Sequence, residues 1–212
     1  MSLCNSTSEN RKWSSLFGSS FPMFPVEAFE RTILKFVAIA ESIDLPFHLT
    51  GGSISSVYGE PRLTQDIDIV VSPEVARNRV DDFVHRLASS DFLFTEGVVR
   101  QSVENGDLFQ LLDKSESLKL DIYPRELIPG ELQRSQRLEL FEGVFLPVVS
   151  RTDAAISKLI WIDKGSQRSR RDLRSIFRGC NPPQQTEIRN AADKLLLSEL
   201  LDEVLAESDE IR

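Results

Sequence analysis

The stretch that decides the fold is HLTGGSISSVYGEPRLTQDIDIVV, which runs from His48 to Val71. It places a glycine-rich turn ahead of a short strand that carries two alternating carboxylates, Asp66 and Asp68. Successive side chains of a strand point to opposite faces, so both aspartates lie on one face. Burying two like charges is costly, and a divalent cation would offset their repulsion. Mg²⁺ prefers hard oxygen ligands and commonly binds one or two carboxylates together with substrate phosphates.

The turn ahead of this strand suits a phosphate group. Gly51 and Gly52 allow close backbone approach, and Ser53 is predicted to be the N-cap of a short helix through Val57. The N–H groups at the start of such a helix attract phosphate. An ordinary strand-to-helix turn is the alternative, because glycine and serine are common in such turns. His48 is interpreted as a packed core residue rather than as a base.

A third carboxylate lies on a later strand. The segment from Leu118 to Tyr123 alternates, which places Lys119, Asp121 and Tyr123 on the face opposite the leucines. Asp121 is therefore a candidate third member of a carboxylate triad. The alternative is an exposed aspartate beside Lys119 on a half-buried strand.

These elements together resemble the signature of the nucleotidyltransferase superfamily, which has a polymerase beta-like fold. The resemblance rests on Gly52-Ser53, on Asp66-Ile67-Asp68 and on the single Asp121. It implies that the aspartates are catalytic and hold metal, that Asp121 also assists the attacking group, and that the glycine turn binds the β and γ phosphates. The expected class is α/β (α+β), with a mixed sheet flanked by helices and a helical C-terminal portion.

Two later segments extend the resemblance. ISKLIW at 156–161 and RRDL at 170–173 are similar to elements of minimal and AbiEii-like nucleotidyltransferases. The resemblance covers Pro46 to Phe177, and it implies that Lys158 faces the nucleotide phosphates and that Asp172 orders the site. The alternative is that these residues form surface or interhelix ion pairs. The gap between Ser53 and the first aspartate is long, as it is in the AbiEii-like branch.

Composition limits the partners. The 212 residues contain 25 Lys and Arg against 33 Asp and Glu, a net charge of -8, which argues against a broad nucleic-acid surface. Any RNA contact would be local, and a basic cluster between residues 164 and 178 is either a solvated helix face or a patch for triphosphate or an RNA end. Cys4 and Cys180 are interpreted as reduced thiols of a cytoplasmic protein. No apolar run is long enough to span a membrane.

The chain is expected to contain three parts: a partly disordered tail (1–24), a core (25–150) and a C-terminal helical region packed on that core (151–212). Hydrophobic periodicity predicts helices at 26–43, 73–88 and 186–206. Between Phe92 and Tyr123 the pattern predicts a hairpin, with Asn105-Gly106 as its turn.

The expected activity is Mg²⁺-dependent transfer of a nucleoside monophosphate from an NTP to a hydroxyl of RNA, protein or a small molecule, with Mn²⁺ as an alternative cofactor. The AbiEii-like resemblance implies a narrower alternative, a toxin that modifies tRNA in a toxin–antitoxin or phage-defence system. A catalytically silent nucleotide-binding or interaction protein of the same fold is the third possibility. A cognate antitoxin and a second copy of the chain are the candidate protein partners.

Overall fold

The structure is a computed structural model that describes residues 25–61, 64 and 66–208. Within these ranges seven strands form one sheet: β1 (Phe47–Thr50), β2 (Asp66–Val71), β3 (Phe92–Leu93), β4 (Phe109–Asp113), β5 (Lys119–Tyr123), β6 (Gln136–Phe141) and β7 (Val144–Val148). Their order across the sheet is β3-β4-β5-β2-β1-β7-β6. β2 is parallel to β5 and β1 to β7, whereas the other neighbours are antiparallel. The predicted mixed sheet is confirmed.

Helices surround this sheet and occupy most of the C-terminal part. Those in the described residues are α1 (Val26–Ser42), α2 (Gly51–Tyr58), α3 (Pro73–Asn78), α4 (Val80–Ala88), α5 (Glu96–Asn105), α6 (Arg151–Asp163), α7 (Arg168–Arg178), α8 (Pro182–Lys194) and α9 (Ser198–Ala206). The first helix matches the predicted 26–43. Its stripe of Ile33, Phe36 and Ala40 is completely buried, as the helical spacing of apolar residues requires.

The neighbouring central strands β2 and β5 carry the three aspartates. On β2, Ile67 and Ile69 are completely buried, and on β5 the same holds for Leu120 and Ile122. These side chains lie on the core face of the sheet, so the alternating aspartates lie on the opposite face. Strand alternation therefore directs the apolar residues into the core and the carboxylates toward one shared surface.

The predicted hairpin turn at Asn105-Gly106 is wrong. Residues 96–105 form α5, and Gly106 ends it in the left-handed conformation with φ of 73°. Val99 and Val103 are buried four residues apart on this helix, so helical spacing overrides the turn signal. An Asn-Gly pair fits a helix end as well as a hairpin turn. The hairpin lies between β4 and β5, where Ser117 has φ of 58°.

Two predicted helices are each divided in the structure. The segment 73–88 breaks at Arg79 into α3 and α4, and the predicted terminal helix 186–206 is α8 and α9 with a break at 195–197. Leu196 in that break has φ of 60° and is 92% exposed. Asn181 starts α8 earlier than predicted, because its side chain forms a capping box with Gln184.

The boundary near residue 150 remains a prediction, as does the division into core and helical region. Helices α6 to α9 pack on one another, and α6 and α7 also contact α2. The predicted tail at 1–24 and Cys4 lie outside the described residues, whereas Cys180 is a buried free thiol. Across the described ranges, the helices are all too short or too polar to cross a membrane.

Candidate active site

The glycine turn is pressed against one of the strand aspartates. Gly51 has φ of 72°, and a Cβ atom placed there would lie 1.9 Å from Asp68 Oδ2, so only glycine fits. The N-cap of α2 is Thr50, and the prediction that Ser53 is the N-cap is wrong. Ser53 is buried inside the first turn, and its hydroxyl donates to the Thr50 carbonyl at 3.2 Å. Its role toward phosphate stays a prediction.

The structure brings the second and third aspartates together. Parallel pairing of β2 with β5 sets Asp68 beside Asp121, and antiparallel pairing with β1 sets Asp68 beside Thr50. Tyr123 donates its hydroxyl to Asp68 Oδ1 at 3.3 Å, and Gln110 donates Nε2 to Asp121 Oδ1 at 3.1 Å. The predicted carboxylates from two separate segments are therefore direct neighbours in the sheet.

Asp68 is held in an electrostatically unfavourable position. Burial and, to a smaller extent, the neighbouring charge of Asp121 raise the pKa of its carboxyl to about 6. Lys158 and the backbone N–H of Gly52 act in the opposite direction without cancelling the effect. A positive charge supplied by a ligand at this point would stabilise the ionised carboxylate.

Lys119 contacts the other two aspartates of the candidate site. Its Nζ lies 3.2 Å from Asp66 Oδ1 and 3.4 Å from Asp121 Oδ1. Register pairs it directly with Asp66 across the β2–β5 boundary. The pair is accessible to water, because 35% of the Lys119 side chain and 49% of the Asp66 side chain are exposed. The sequence placed Lys119 on this face but gave no indication that it joins two of the aspartates.

Lys158 and Asp172 form a second ion pair on the helical side. Lys158 Nζ on α6 lies 3.1 Å from Asp172 Oδ2 on α7, and both side chains are buried. The interhelix pair predicted as one alternative is therefore present. Lys158 also lines the space beside Asp68, whereas Asp172 does not line this space and contacts Lys158 through the ion pair. Asp172 is thus placed to fix the position of Lys158.

A cleft of about 630 Å³ brings Asp66 and Asp68 together with Lys158. The residues that matter for charge and shape along its walls are Gly51, Gly52, Asp66, Asp68, Lys158 and Arg168. A smaller recess of about 60 Å³ opens next to Asp68 and is lined in part by Trp161, Arg125 and Glu131. Cleft and recess share the Asp68 carboxylate, so a ligand filling both would pass directly over it.

The donor set fits a divalent cation. Among the described residues, no three acidic, histidine or cysteine side chains converge to form a complete metal centre. Mg²⁺ does not require one, since it usually keeps several waters and takes remaining ligands from substrate phosphates. The adjacent carboxylates of Asp68 and Asp121 supply hard oxygen donors, and the nearby Lys119 and Lys158 offset their negative charge only in part. With Asp66 nearby on the same face, these residues fit a phosphate-bound Mg²⁺ better than a metal held by protein alone.

Comparison with known families identifies the class of protein. The family described as "Nucleotidyl transferase AbiEii toxin, Type IV TA system" matches residues 19–207. The chain belongs to the AbiEii nucleotidyltransferase family. The resemblance stated from sequence is thus confirmed, and nucleotidyl transfer is the enzyme class of the chain. The family also sets this AbiEii chain in a toxin–antitoxin context.

Two solved structures are similar to this AbiEii chain to different degrees. An antigenic nucleotidyltransferase-like protein from Paracoccidioides brasiliensis matches with a TM-score of 0.52 at 18% identity, covering 86% of this chain and 94% of the other. The lincosamide antibiotic adenylyltransferase LnuA, with lincomycin bound, matches with a TM-score of 0.44 at 14% identity, covering 76% of this chain and 95% of its own. No curated protein sequence matches the chain. The predicted nucleotidyltransferase-like fold is confirmed by the first of these structures.

The basic cluster of the AbiEii chain divides into paired and unpaired members. Most of its side chains contact a described partner: Arg170 and Arg174 pair with Glu207, Arg171 and Arg178 with Glu60, and Lys164 lies over the Trp161 ring. Arg168 lines the cleft and forms no hydrogen bond or ion pair within the described part of the chain. The predicted solvated helix face describes Arg171 and Arg178, whereas Arg174 is buried in its ion pair and Arg168 is directed to the cleft.

Two buried titratable groups lie near the recess. Glu131 is 1% exposed and accepts the Leu127 N–H at 2.7 Å, and burial raises the pKa of its carboxyl to about 7. Sequence analysis missed Glu131, because it lies between strands in a segment without periodicity. His48 is completely buried, with Nδ1 2.8 Å from Ser135 Oγ, and burial lowers its pKa to about 4. The interpretation of His48 as a packed core residue is confirmed.

Proposed function

We propose that this chain transfers a nucleoside monophosphate from an NTP to a hydroxyl acceptor, with Mg²⁺ as cofactor and Mn²⁺ as an alternative. The observation that carries the proposal is the pairing of Asp68 with Asp121 directly beneath the Gly51 turn. Asp66, Asp68 and Asp121 would hold the cation. When bound, the cation would neutralise triphosphate charge and lower the pKa of the acceptor hydroxyl.

The remaining groups bind and orient the triphosphate. The backbone N–H of Ser53 lies at the start of α2, and that of Gly52, which contacts Asp68, would turn to the triphosphate when the cation binds this carboxylate. Lys158 faces the same cleft with its position fixed by Asp172. Arg168 extends this positive wall. Because phosphoryl transfer depends mainly on positioning and charge neutralisation, these contacts supply much of what the reaction needs.

The transfer step uses the third aspartate. The acceptor oxygen attacks the α-phosphorus, the bond from that phosphorus to the oxygen bridging the β-phosphate breaks, and pyrophosphate leaves with the bonding electrons. Asp121 orients the acceptor hydroxyl and accepts its proton. The Gln110 amide, which donates to Asp121 Oδ1 at 3.1 Å, keeps the carboxylate directed to this task.

The favoured acceptor is the end of an RNA, with tRNA as the narrower case. The family description as a toxin supports a macromolecular target. Arg125 and Arg168, which lie at the recess and at the cleft, make no hydrogen bond or ion pair with other described residues. These two guanidinium groups are free to contact phosphates. We expect the contact to cover a small area, because a net charge of -8 disfavours a broad nucleic-acid surface.

The direct test combines NTP binding and product formation. We expect calorimetric titration of ATP, GTP, CTP and UTP to show Mg²⁺-dependent binding of at least one nucleotide, and α-labelled nucleotide to appear on RNA from a total tRNA mixture. Asp68→Ala should abolish transfer while the protein stays folded. Asp107→Ala, which removes an exposed carboxylate from a loop, is the matched control and should transfer at the wild-type rate.

Three outcomes separate the alternatives. Equal transfer by Asp68→Ala and wild-type protein would refute the proposed mechanism. Nucleotide binding without transfer to RNA, protein or small hydroxyl compounds would favour a catalytically silent binding protein. Growth arrest on expression, relieved by a neighbouring gene and absent for Asp68→Ala, would support the toxin of a toxin–antitoxin pair.

A further inference from the structure

Lys119 occupies a position that the proposed reaction does not use. Its ammonium group lies between two of the three carboxylates, 3.2 Å from Asp66 Oδ1 and 3.4 Å from Asp121 Oδ1. Asp121 is also the direct neighbour of Asp68 in the sheet. The lysine therefore neutralises the group of aspartates from its open side, whereas Lys158 approaches Asp68 from the helices.

The contact of Lys119 with Asp66 is easily broken, because the two side chains are 35% and 49% exposed to water. Asp121 has only 12% of its side chain exposed, so its carboxylate can release the ammonium group only when another cation takes its place. Lysine has a flexible stem and a strongly hydrated point charge, and half-exposed ion pairs contribute little free energy. The Lys158–Asp172 pair differs, because both of its side chains are buried.

We propose that Lys119 is a placeholder cation, which joins Asp66 to Asp121 when no metal is bound and withdraws when a metal–NTP complex enters the cleft. This inference rests on the proposed function. Lys119 is a positioning residue in this scheme, since it acts on the carboxylates and not on the reacting atoms. The site would then take up its metal together with the nucleotide rather than from solution alone.

The reason lies in competition for the same oxygen atoms. A free divalent cation must displace the ammonium group and gains only carboxylate and water ligands in return. A cation that arrives with NTP brings phosphate oxygens as further ligands, and the triphosphate offers Lys119 a new anionic partner. Lys119 therefore weakens binding of metal alone much more than binding of metal with nucleotide.

The test measures metal affinity rather than activity. Mn²⁺ is titrated into metal-free wild-type protein and into Lys119→Met, and free Mn²⁺ is followed by electron paramagnetic resonance. We expect Lys119→Met to bind Mn²⁺ about tenfold more tightly without nucleotide, since one unit of opposing charge at contact distance has been removed. In the presence of NTP the difference should shrink to about twofold or less. Lys119→Arg, which keeps the charge, should bind Mn²⁺ as weakly as wild type.

A second measurement excludes a purely structural role. In EDTA, Lys119→Met should melt at a lower temperature than wild type, and added Mn²⁺ should raise its melting temperature more than that of wild type. Lys119→Gln serves as a second variant if the methionine protein does not fold. Lowered melting temperature with unchanged Mn²⁺ affinity would overturn the inference and leave Lys119 as an ordinary ion-pair residue.

The failure of this inference differs from the failure of the proposed function. Asp68→Ala establishes that the Mn²⁺ measured is bound at this site, because it should lose nucleotide-dependent binding. If wild type binds Mn²⁺ with NTP through Asp68 but Lys119→Met has the same affinity without NTP, only the placeholder role is refuted. If wild type binds no Mn²⁺ with or without any NTP, the proposed function is refuted and the inference falls with it.

Discussion

Two lysines form ion pairs with aspartates at the candidate active site, and the surroundings of the two pairs differ. Lys158 and Asp172 have exposed fractions of 8% and 6%, whereas those of Lys119 and Asp66 are 35% and 49%. A buried pair cannot lose one partner without stranding a charge away from water, but a half-exposed pair can. Burial therefore separates a fixed ion pair, which positions a group, from an exchangeable one, which can give way to a ligand.

Glu131 extends the comparison to a buried charge with no cation. It is 1% exposed, and no lysine or arginine of the described residues forms an ion pair with it. Backbone N–H groups of Leu127 and Ile128 are its partners instead. Burial dominates, and the pKa of the carboxyl rises to about 7. The Lys158–Asp172 pair, the Lys119–Asp66 pair and the unpaired Glu131 carboxyl differ in solvent exposure and in charge pairing. Each can therefore serve as a control for the other two.

The largest expected effect is the loss of the buried pair. Asp172→Ala leaves Lys158 buried without its partner, so we expect the free energy of unfolding to fall by about 3–5 kcal/mol in urea denaturation. Asp66→Ala, on the exposed side, should cost less than about 1 kcal/mol. The double variant Lys158→Met/Asp172→Leu should recover most of the stability but not NTP binding. Equal losses for Asp172→Ala and Asp66→Ala would contradict the comparison.

The next effect depends on pH. Because the pKa of Glu131 is raised to about 7 in the folded protein, its contribution to stability is present at low pH and is lost as pH rises through 7. Glu131→Gln should be more stable than wild type by about 2–3 kcal/mol at pH 8, and the difference should vanish near pH 4. Thermal unfolding between pH 4 and pH 8 measures this difference in stability, and Glu142→Gln, which changes an exposed carboxylate, is the control. A difference independent of pH would show that proton binding by Glu131 is not the cause.

The smallest effect concerns salt. In metal-free buffer Lys119→Gln should lower the free energy of unfolding by less than about 1 kcal/mol at low ionic strength. Screening should remove most of this cost at about 0.5 M NaCl, because the ion pair is exposed to solvent. The cost of Asp172→Ala should stay nearly constant over the same range. Denaturant titrations at low salt and at about 0.5 M NaCl measure the change in the free energy of unfolding. A cost of Lys119→Gln that does not depend on salt would show that its ion pair behaves like a buried one.

Strand alternation made the central sheet predictable. The period-two patterns around Asp66, Asp68 and Asp121 indicated both which residues face the core and which face is shared, and β2 and β5 bear this out. The boundaries of the C-terminal helices were harder to predict from the sequence. A break such as that at Leu196 depends on how α9 packs against α8, which is a tertiary contact that leaves no strong local signal.

The members of the site that were missed come from distant segments. Lys119 faced the right side in the sequence pattern, but its contact with Asp66 requires the register of two strands that are far apart in the chain. Glu131 and Trp161 reach the recess from a loop and from α6. Glu131 belongs to no motif, and the ISKLIW segment that ends at Trp161 does not indicate where this ring points, so only the folded arrangement reveals that both line the recess with Asp68.

The close fit between Gly51 and Asp68 makes the two positions a single unit. A methyl group at residue 51 would overlap the Asp68 carboxylate, so the turn and the strand restrict each other by volume as well as by charge. Residue 51 therefore cannot gain a side chain while Asp68 keeps its place, although a smaller residue at position 68 would fit beside the glycine. Descendants of this chain that keep the aspartate are expected to keep the glycine, and a lineage that replaces the glycine is expected to have a different arrangement of the cleft.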